Sequence, residues 1–462
     1  MHARSRLAGA VAALCVGTLT TACTTGGPDE PRNDPSKSTQ SATPSTTPSN
    51  RPSPTGEPTR LTFGVFGNAE EIETWQTAVD SYNSVYGADV RLKSWPSWRE
   101  ADAAMRADRD VPDVFMLNQR NLSWYLEQEL TQPVDELLDE RGVNFGDDFS
   151  RDAMEGFSVG TSLACMPLSM SPRVVYVNTD LVDFATMRKR GLDVPSSMER
   201  WTFDQFAAAA DFAAKPRRAI KGVYVDPTLD GLAPFILSGG GQVYDDTEEP
   251  TSLAFSSEES RAALERTLTV LRDAQLTPTQ VDLADTTPQQ MFMDGDLAMI
   301  TGYRDLTPRL RQQEDLSFDV MPMPVLDSGA TVGSLEGMCL DADTEDTAAA
   351  ADFMAFALSE STLRGLARAG RTVPASVVVA SSPDFLQSWE DPQNAAAFVA
   401  GMRNVERQPP GVDPDAVNRA VQPQLRELLT EPVLDLPSLT TEIDAASRRV
   451  LSPETATESP TE

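Results

Sequence analysis

From Leu61 onward, apolar and polar positions alternate in two distinct periods. Leu61-Thr62-Phe63-Gly64-Val65-Phe66 is a short, nearly continuous apolar run that stops at Gly67-Asn68, the pattern of a buried strand running into a loop. Over 70–85, Ile72, Trp75, Val79 and Tyr82 recur at helical spacing, which predicts an amphipathic helix with one buried face. Residues 89–93 predict a second strand, and 111–117 a third with its entry turn. Strand, helix, strand, helix, strand is a parallel α/β layout. Ligands in such sheets sit beyond the carboxyl ends of the strands, which singles out Phe66, Asn68, Asn118 and Gln119 at one rim.

The alternation continues downstream. Residues 174–177 are strand-like, and 201–206 open a helix with Thr202 as N-cap. Phe235-Ile236-Leu237 runs into Ser238-Gly239-Gly240-Gly241, a turn that could approach a ligand or form a simple loop. No Lys-Ser or Lys-Thr follows it to cradle a phosphate. Further helices are predicted at 258–274, 347–358 and 416–429, and no repeat of 20 to 50 residues is present.

The ends read differently. Arg4 and Arg6 precede an apolar run over 7–19 and then Thr20-Thr21-Ala22-Cys23, a secretory signal covering 1–22. That run is shorter than the roughly 20 residues needed to span a bilayer. Cys23 resembles the lipidated cysteine of a bacterial lipobox, although Leu19 lies one residue further upstream than that pattern has it. The expectation is acylation at Cys23 and anchoring to the outer face of the cell membrane; ordinary secretion with Cys23 incidental is the alternative. Residues 23–59 are Thr, Ser, Pro and Gly with almost no large apolar side chain, the composition of a disordered tether, and 452–462 is an acidic tail expected to be disordered too. Nearly four hundred residues lie between, more than one core organises, so two lobes are expected.

Composition narrows the chemistry. A formal charge of −32, from 70 acidic against 38 basic residues, repels nucleic acid and anionic lipid. The single histidine, His2, lies in the signal, so the mature chain has no imidazole for Ser-His-Asp or Cys-His catalysis or for a zinc site that needs one. With Cys15 cleaved and Cys23 acylated, Cys165 and Cys339 remain as an even pair in an oxidising compartment. They are expected to pair if geometry allows; two separate buried thiols is the other reading.

Several segments taken together carry a family resemblance. Val111 to Leu117 followed by Pro133-Val134-Asp135-Glu136-Leu137-Leu138, then Pro167-Leu168-Ser169-Met170-Ser171 and Val175-Tyr176-Val177-Asn178-Thr179-Asp180-Leu181, stand in the order found in family-1 extracellular solute-binding proteins. Trp201-Thr202-Phe203, Phe235 to Gly240, Met291 to Met299, Pro322-Met323-Pro324, Gly333 to Leu340, Pro374 and Val417-Asn418-Arg419-Ala420 continue that order. The resemblance covers nearly all of 61–451. It implies a periplasmic-binding-protein-like fold of two α/β lobes joined by several hinge crossings, with a cleft between them. It divides the chain into a first lobe of 60–168 and 337–380 and a second of 169–336 and 381–451. It further implies a monomeric, cofactor-free ABC-transporter component that binds a carbohydrate or related polar solute and passes it to permease subunits. By position it nominates, besides the rim residues above, Met170, Tyr176, Gly239, Gly240, Tyr303, Arg304, Glu336 and Arg371 as ligand contacts. It also places a Cys165–Cys339 bridge beside the crossings.

Each nomination has a plainer alternative. Phe66 and Tyr176 sit among apolar residues and fit a core equally well, and Trp95, Trp98 and Trp124 fit either cleft walls or packing. Many relatives have an aromatic near Arg304 and Glu336; charges there imply a smaller or more polar solute, or else a mutual ion pair. Two other functions fit the residues less well. A glycosidase needs only two carboxylates, but no acidic pair stands out. Asp341-Ala342-Asp343-Thr344-Glu345-Asp346 has acids for calcium but puts Asp346 where an EF-hand needs glycine. A ligand sensor of the same fold remains open.

Overall fold

The computed structural model describes residues 60–108, 111–409 and 411–453. The signal, Cys23, the tether and nearly all of the acidic tail lie outside the described residues. The strands are β1 (Arg60–Phe66), β2 (Asp89–Trp95), β3 (Val114–Asn118), β4 (Thr131–Gln132), β5 (Ser158–Val159), β6 (Ser162–Leu163), β7 (Cys165–Pro172), β8 (Val174–Asn178), β9 (Met299–Gly302), β10 (Phe318–Pro322) and β11 (Gly333–Asp341).

The first sheet has the order β2-β1-β3-β11-β4, with β7 also pairing to β11. β1 runs parallel to β2 and β3, as the alternating pattern predicts, and β11 runs antiparallel to β3 and β7. The Ala69–Tyr86 helix buries Trp75, Val79 and Tyr82 against this sheet's core, Trp75 edge-on to Phe63 at 5.2 Å. Its first turn is closed by a capping box: Asn68 Oδ1 accepts from Glu71 N at 2.9 Å, and Glu71 Oε2 accepts from Asn68 N at 3.1 Å.

The second sheet, β10-β8-β9, is antiparallel throughout. Its two faces feed two different cores. Val175 and Val177 point into a cluster with Trp201, Phe206 and Phe235, whereas Val174 and Tyr176 join the cluster of the first sheet. The period of two along one strand thus holds the lobes together through shared apolar packing.

Three crossings link the sheets. The chain leaves β7 after Pro172 and enters β8 at Val174, returns at 331–333 into β11, and passes again at 404–406. These strands lie side by side: Arg173 N donates to Val332 O at 2.8 Å, and Thr331 N donates to Asn404 O at 2.8 Å. The first crossing therefore falls after Pro172 rather than after Leu168, because 165–172 pairs with β11 as one strand that continues through a bulge at Leu168, and the second falls before Gly333 rather than after Glu336. Residues 385–402 pack with the first core, through Phe385, Phe398 and Met402. Only from Val412 does the chain join the second core, through the Pro414–Thr430 and Leu436–Leu451 helices.

Cys165 and Cys339 face one another across β7 and β11 and are joined by a disulfide, with Cα atoms 4.3 Å apart. The bridge does not sit beside the crossings. It closes the far end of the strand pair, whose hinge end is Pro172 opposite Gly333. Among the described residues no helix is long and apolar enough to cross a membrane.

Candidate functional site

At the carboxyl end of β1 the chain turns through Gly67 into the capping box, and that box does a second job. Glu71, 3% exposed, accepts from Arg371 Nε as well as from its own helix start. Arg371 follows the Glu360–Ala369 helix and its left-handed Gly370 cap, and lies over the Phe66 ring at 5.9 Å. Its fork meets Glu336 of β11 in two bonds, Nη1 to Oε1 at 2.9 Å and Nη2 to Oε2 at 2.7 Å. Burial would push the guanidinium down, but Glu336 and Glu71 outweigh it and hold Arg371 firmly charged.

The end of β3 supplies a second arginine. Asn118 Oδ1 accepts from Arg120 N at 3.2 Å, and its Nδ2 donates to Ser334 Oγ at 3.3 Å, so Asn118 fixes the turn rather than lining the cleft. Arg120 reaches across to Asp230 on the Leu229–Ser238 helix, and its Nη1 is 3.7 Å from Asp415. Tyr303 Oη also donates to Asp230, at 2.8 Å. Burial would raise the Asp230 carboxyl, but Arg120 and Arg173 overcome that and keep it below the usual carboxylate range.

A third arginine sits in the hinge itself. Arg173 is 5% exposed, bonds Asp226 and Thr301 Oγ1, and stacks 5.4 Å from the Tyr303 ring centre. The turn that brings Asp226 and Asp230 together is tightly wound. Thr228 N donates to Asp226 O at 2.8 Å, Thr228 Oγ1 caps Gly231 N at 3.1 Å, and Leu229 N donates to Asn418 Oδ1 at 3.0 Å.

These groups surround a cleft of about 240 Å³. One wall comes from the first sheet's side, through Trp98, Arg120, Ser334, Glu336 and Arg371. The opposite wall comes from Thr228, Asp230, Tyr303, Asp305, Asp415 and Asn418. Positive and negative side chains are nearly balanced, so the cleft offers donors and acceptors rather than a net field.

Of the residues nominated from sequence, the structure brings Tyr303, Glu336 and Arg371 to this cleft. Phe66 lies behind Arg371, Asn68 and Asn118 serve as caps, and Gln119 opens the short turn after β3. Met170 is 2% exposed within β7. Gly239 caps the Leu229–Ser238 helix, and Gly240, at φ +85°, borders a neighbouring cavity. Tyr176 and Arg304 are corrected to the interior. Strand alternation turns Tyr176 into the core, where its hydroxyl donates to Tyr303 O at 2.8 Å. Arg304 is fully buried between Phe385 and Phe398 and donates to Gly370 O at 3.0 Å; it does not pair with Glu336. Sequence reasoning missed Arg120, Arg173, Asp226 and Asp230. Arg120 directly follows the nominated Asn118-Gln119 rim, and that adjacency was the available signal.

Two α/β lobes, three adjacent crossings and a polar cleft shared by both define a hinged binding protein. Residues 77–396, well over half of the chain, match the family described as bacterial extracellular solute-binding protein, and the chain belongs to that family. No curated protein matches it by sequence. Among solved structures, it is similar to an ABC substrate-binding protein of Listeria monocytogenes in complex with cycloalternan, with 18% identity, a TM-score of 0.71, and 86% of this chain and 99% of that one covered. A solute-binding protein of Thermotoga lettingae bound to α-D-tagatose shares 16% identity at a TM-score of 0.66, covering 85% and 99%. The Thermus thermophilus maltotriose-binding protein shares 16% identity at 0.63, covering 84% and 99%. At these identities the likeness speaks for the fold.

Proposed function

We propose that this chain captures a carbohydrate or related polar solute in its interlobe cleft and delivers it to the permease subunits of an ABC importer, held at the outer face of the membrane by lipidated Cys23. The cleft chemistry carries the reading. Paired guanidinium and carboxylate groups from both lobes offer planar donors and acceptors to hydroxyls, and Trp98 and Tyr303 add flat faces suited to sugar C–H groups. Structural neighbours in complex with cycloalternan, tagatose and maltotriose support a sugar over other polar solutes. Turnover is not required of such a protein; a solute that touches both walls favours the closed arrangement by its own contacts.

The test is a thermal-shift panel of mono- and oligosaccharides on the mature protein, with product analysis of each mixture. Binding at a hundredfold excess over Kd stabilises the folded form by about 2.7 kcal/mol, a readily measured rise in Tm. A flat response across the panel counts against a carbohydrate, and cleaved products count for a hydrolase.

A further inference from the structure

Beside the solute cleft lies a second cavity of about 280 Å³, which has Asp230 as a wall in common with it. Its chemistry is different. Leu229, Ala233 and Leu237 line it from the helix that carries Asp230, and Val243, Pro409 and Pro414 complete an apolar surface. The charged side chains there, Glu406 and Arg407, are exposed. Gln242 and Thr247 at its edge are exposed as well, and two half-buried polar side chains, Tyr244 and Gln408, stand among the apolar ones. Tyr244 lies within electrostatic range of Arg120 and Asp230, which ties this cavity to the ion pairs of the cleft. Gln408 presents a buried Oε1 that accepts no hydrogen bond, an unfavourable state that a donor from a bound molecule would relieve.

We propose that the two cavities form one binding site for an amphipathic glycoside, with the sugar in the charged cleft and an apolar, hydroxyl-bearing aglycone in the second cavity, its hydroxyl donating to Gln408 Oε1. The inference rests on the carbohydrate reading above and assigns the class of glycoside. The polar side chains Gln242, Thr247, Glu406 and Arg407 lie at the exposed edge, while the buried wall of Leu229, Ala233, Val332, Pro409 and Pro414 suits an aromatic or alicyclic group better than a second sugar. The shared Asp230 wall puts the glycosidic oxygen where the charged and apolar linings meet.

The experiment compares methyl, phenyl and 4-hydroxyphenyl glycosides of glucose, galactose and mannose on the mature protein, by thermal shift and then calorimetry. For a sugar that binds, the phenyl glycoside is expected to bind roughly tenfold more tightly than the methyl glycoside, with a further gain for 4-hydroxyphenyl. Gln408→Leu should erase that further gain and keep the phenyl one. Val243→Trp, which fills the cavity, should return aryl affinities to the methyl level without changing methyl binding; if that variant does not fold, the Gln408→Leu series decides. Equal methyl and aryl affinities in the native protein overturn the inference and leave the carbohydrate reading standing. Failure of every glycoside, methyl included, overturns the inference, and the mono- and oligosaccharide panel above then decides the carbohydrate reading.

Discussion

Arg304 and Arg371 look alike along the chain, each a lone arginine beside a small or aromatic residue, yet their surroundings make opposite predictions. Arg371 neutralises Glu336 and Glu71, both nearly inaccessible. Arg371→Ala leaves two carboxylates buried without a partner and should cost about 3–5 kcal/mol of stability, measurable by urea unfolding. A loss below about 1 kcal/mol would show that water or rearrangement replaces the pair. Among the described residues Arg304 has no carboxylate partner. Its Nη1 and Nη2 donate to no acceptor, and burial pushes its pKa down to about 10. Arg304→Met keeps much of the volume and removes that burden, so stability should hold or rise and solute affinity should not change. Weakened binding in that variant would return Arg304 to the site. The sequence alone could not separate these two, because burial and partner choice are decided by segments distant along the chain: Gly370, Phe385 and Phe398 for Arg304, and Glu336 and Glu71 for Arg371. In a chain with so many charges, Arg120, Arg173 and Asp230 likewise read as solvated surface until the fold faces them toward one another.

At the scale of elements, the 226–231 turn is the most exacting part of the cleft. A Cβ on Gly231 would lie 2.1 Å from the backbone oxygen of Asp226, and a backbone atom cannot swing aside as a side chain can. Gly231→Ala should cost about 1–3 kcal/mol and weaken solute binding together, since the shift displaces Asp226 and Asp230; intact affinity would mean the turn relaxes elsewhere. The end of β11 makes a pH prediction. Burial, with Asp343 and Asp113 nearby, raises Asp341 from 3.8 to about 6. Between those values the folded state binds more protons than the unfolded one, so this group's contribution to stability declines as pH rises from about 4 to 6 and then levels off. Asp341→Asn should flatten that decline and leave the variant relatively more stable at pH 7 than at pH 4.5, as denaturation at the two values would reveal. The elements with strong periodicity were legible in advance: the 70–85 helix, the strand at 61–66 and the helices near 258, 347 and 416 all appear within a few residues of their expected limits. The antiparallel second sheet was not, because its strands 299–302 and 318–322 are only four and five residues long and carry no clear period. The Leu436–Leu451 helix also went unmarked, since its Pro437 start reads equally as a loop.

For the molecule as a whole, the disulfide and the cleft occupy opposite ends of the β7–β11 pair. Reduction, or Cys165→Ala with Cys339→Ala, removes a constraint spanning a separation of 174 residues, up to about 4–5 kcal/mol in the chain-entropy model. Solute affinity should stay within about twofold, because the arginine pairs are anchored elsewhere; a large loss of affinity would mean the bridge sets the geometry of Glu336. The same bond has a topological consequence. Everything from Met166 to Met338, which includes β8, β9, β10 and the turn bearing Asp226 and Asp230, becomes a ring tied at its neck. A protease that nicks the exposed polar stretch at 245–249 therefore cuts the backbone without freeing a fragment: the two pieces should run together on a non-reducing gel and part only after thiol is added. For a protein working outside the cell among secreted proteases, a clipped copy stays in one covalent piece.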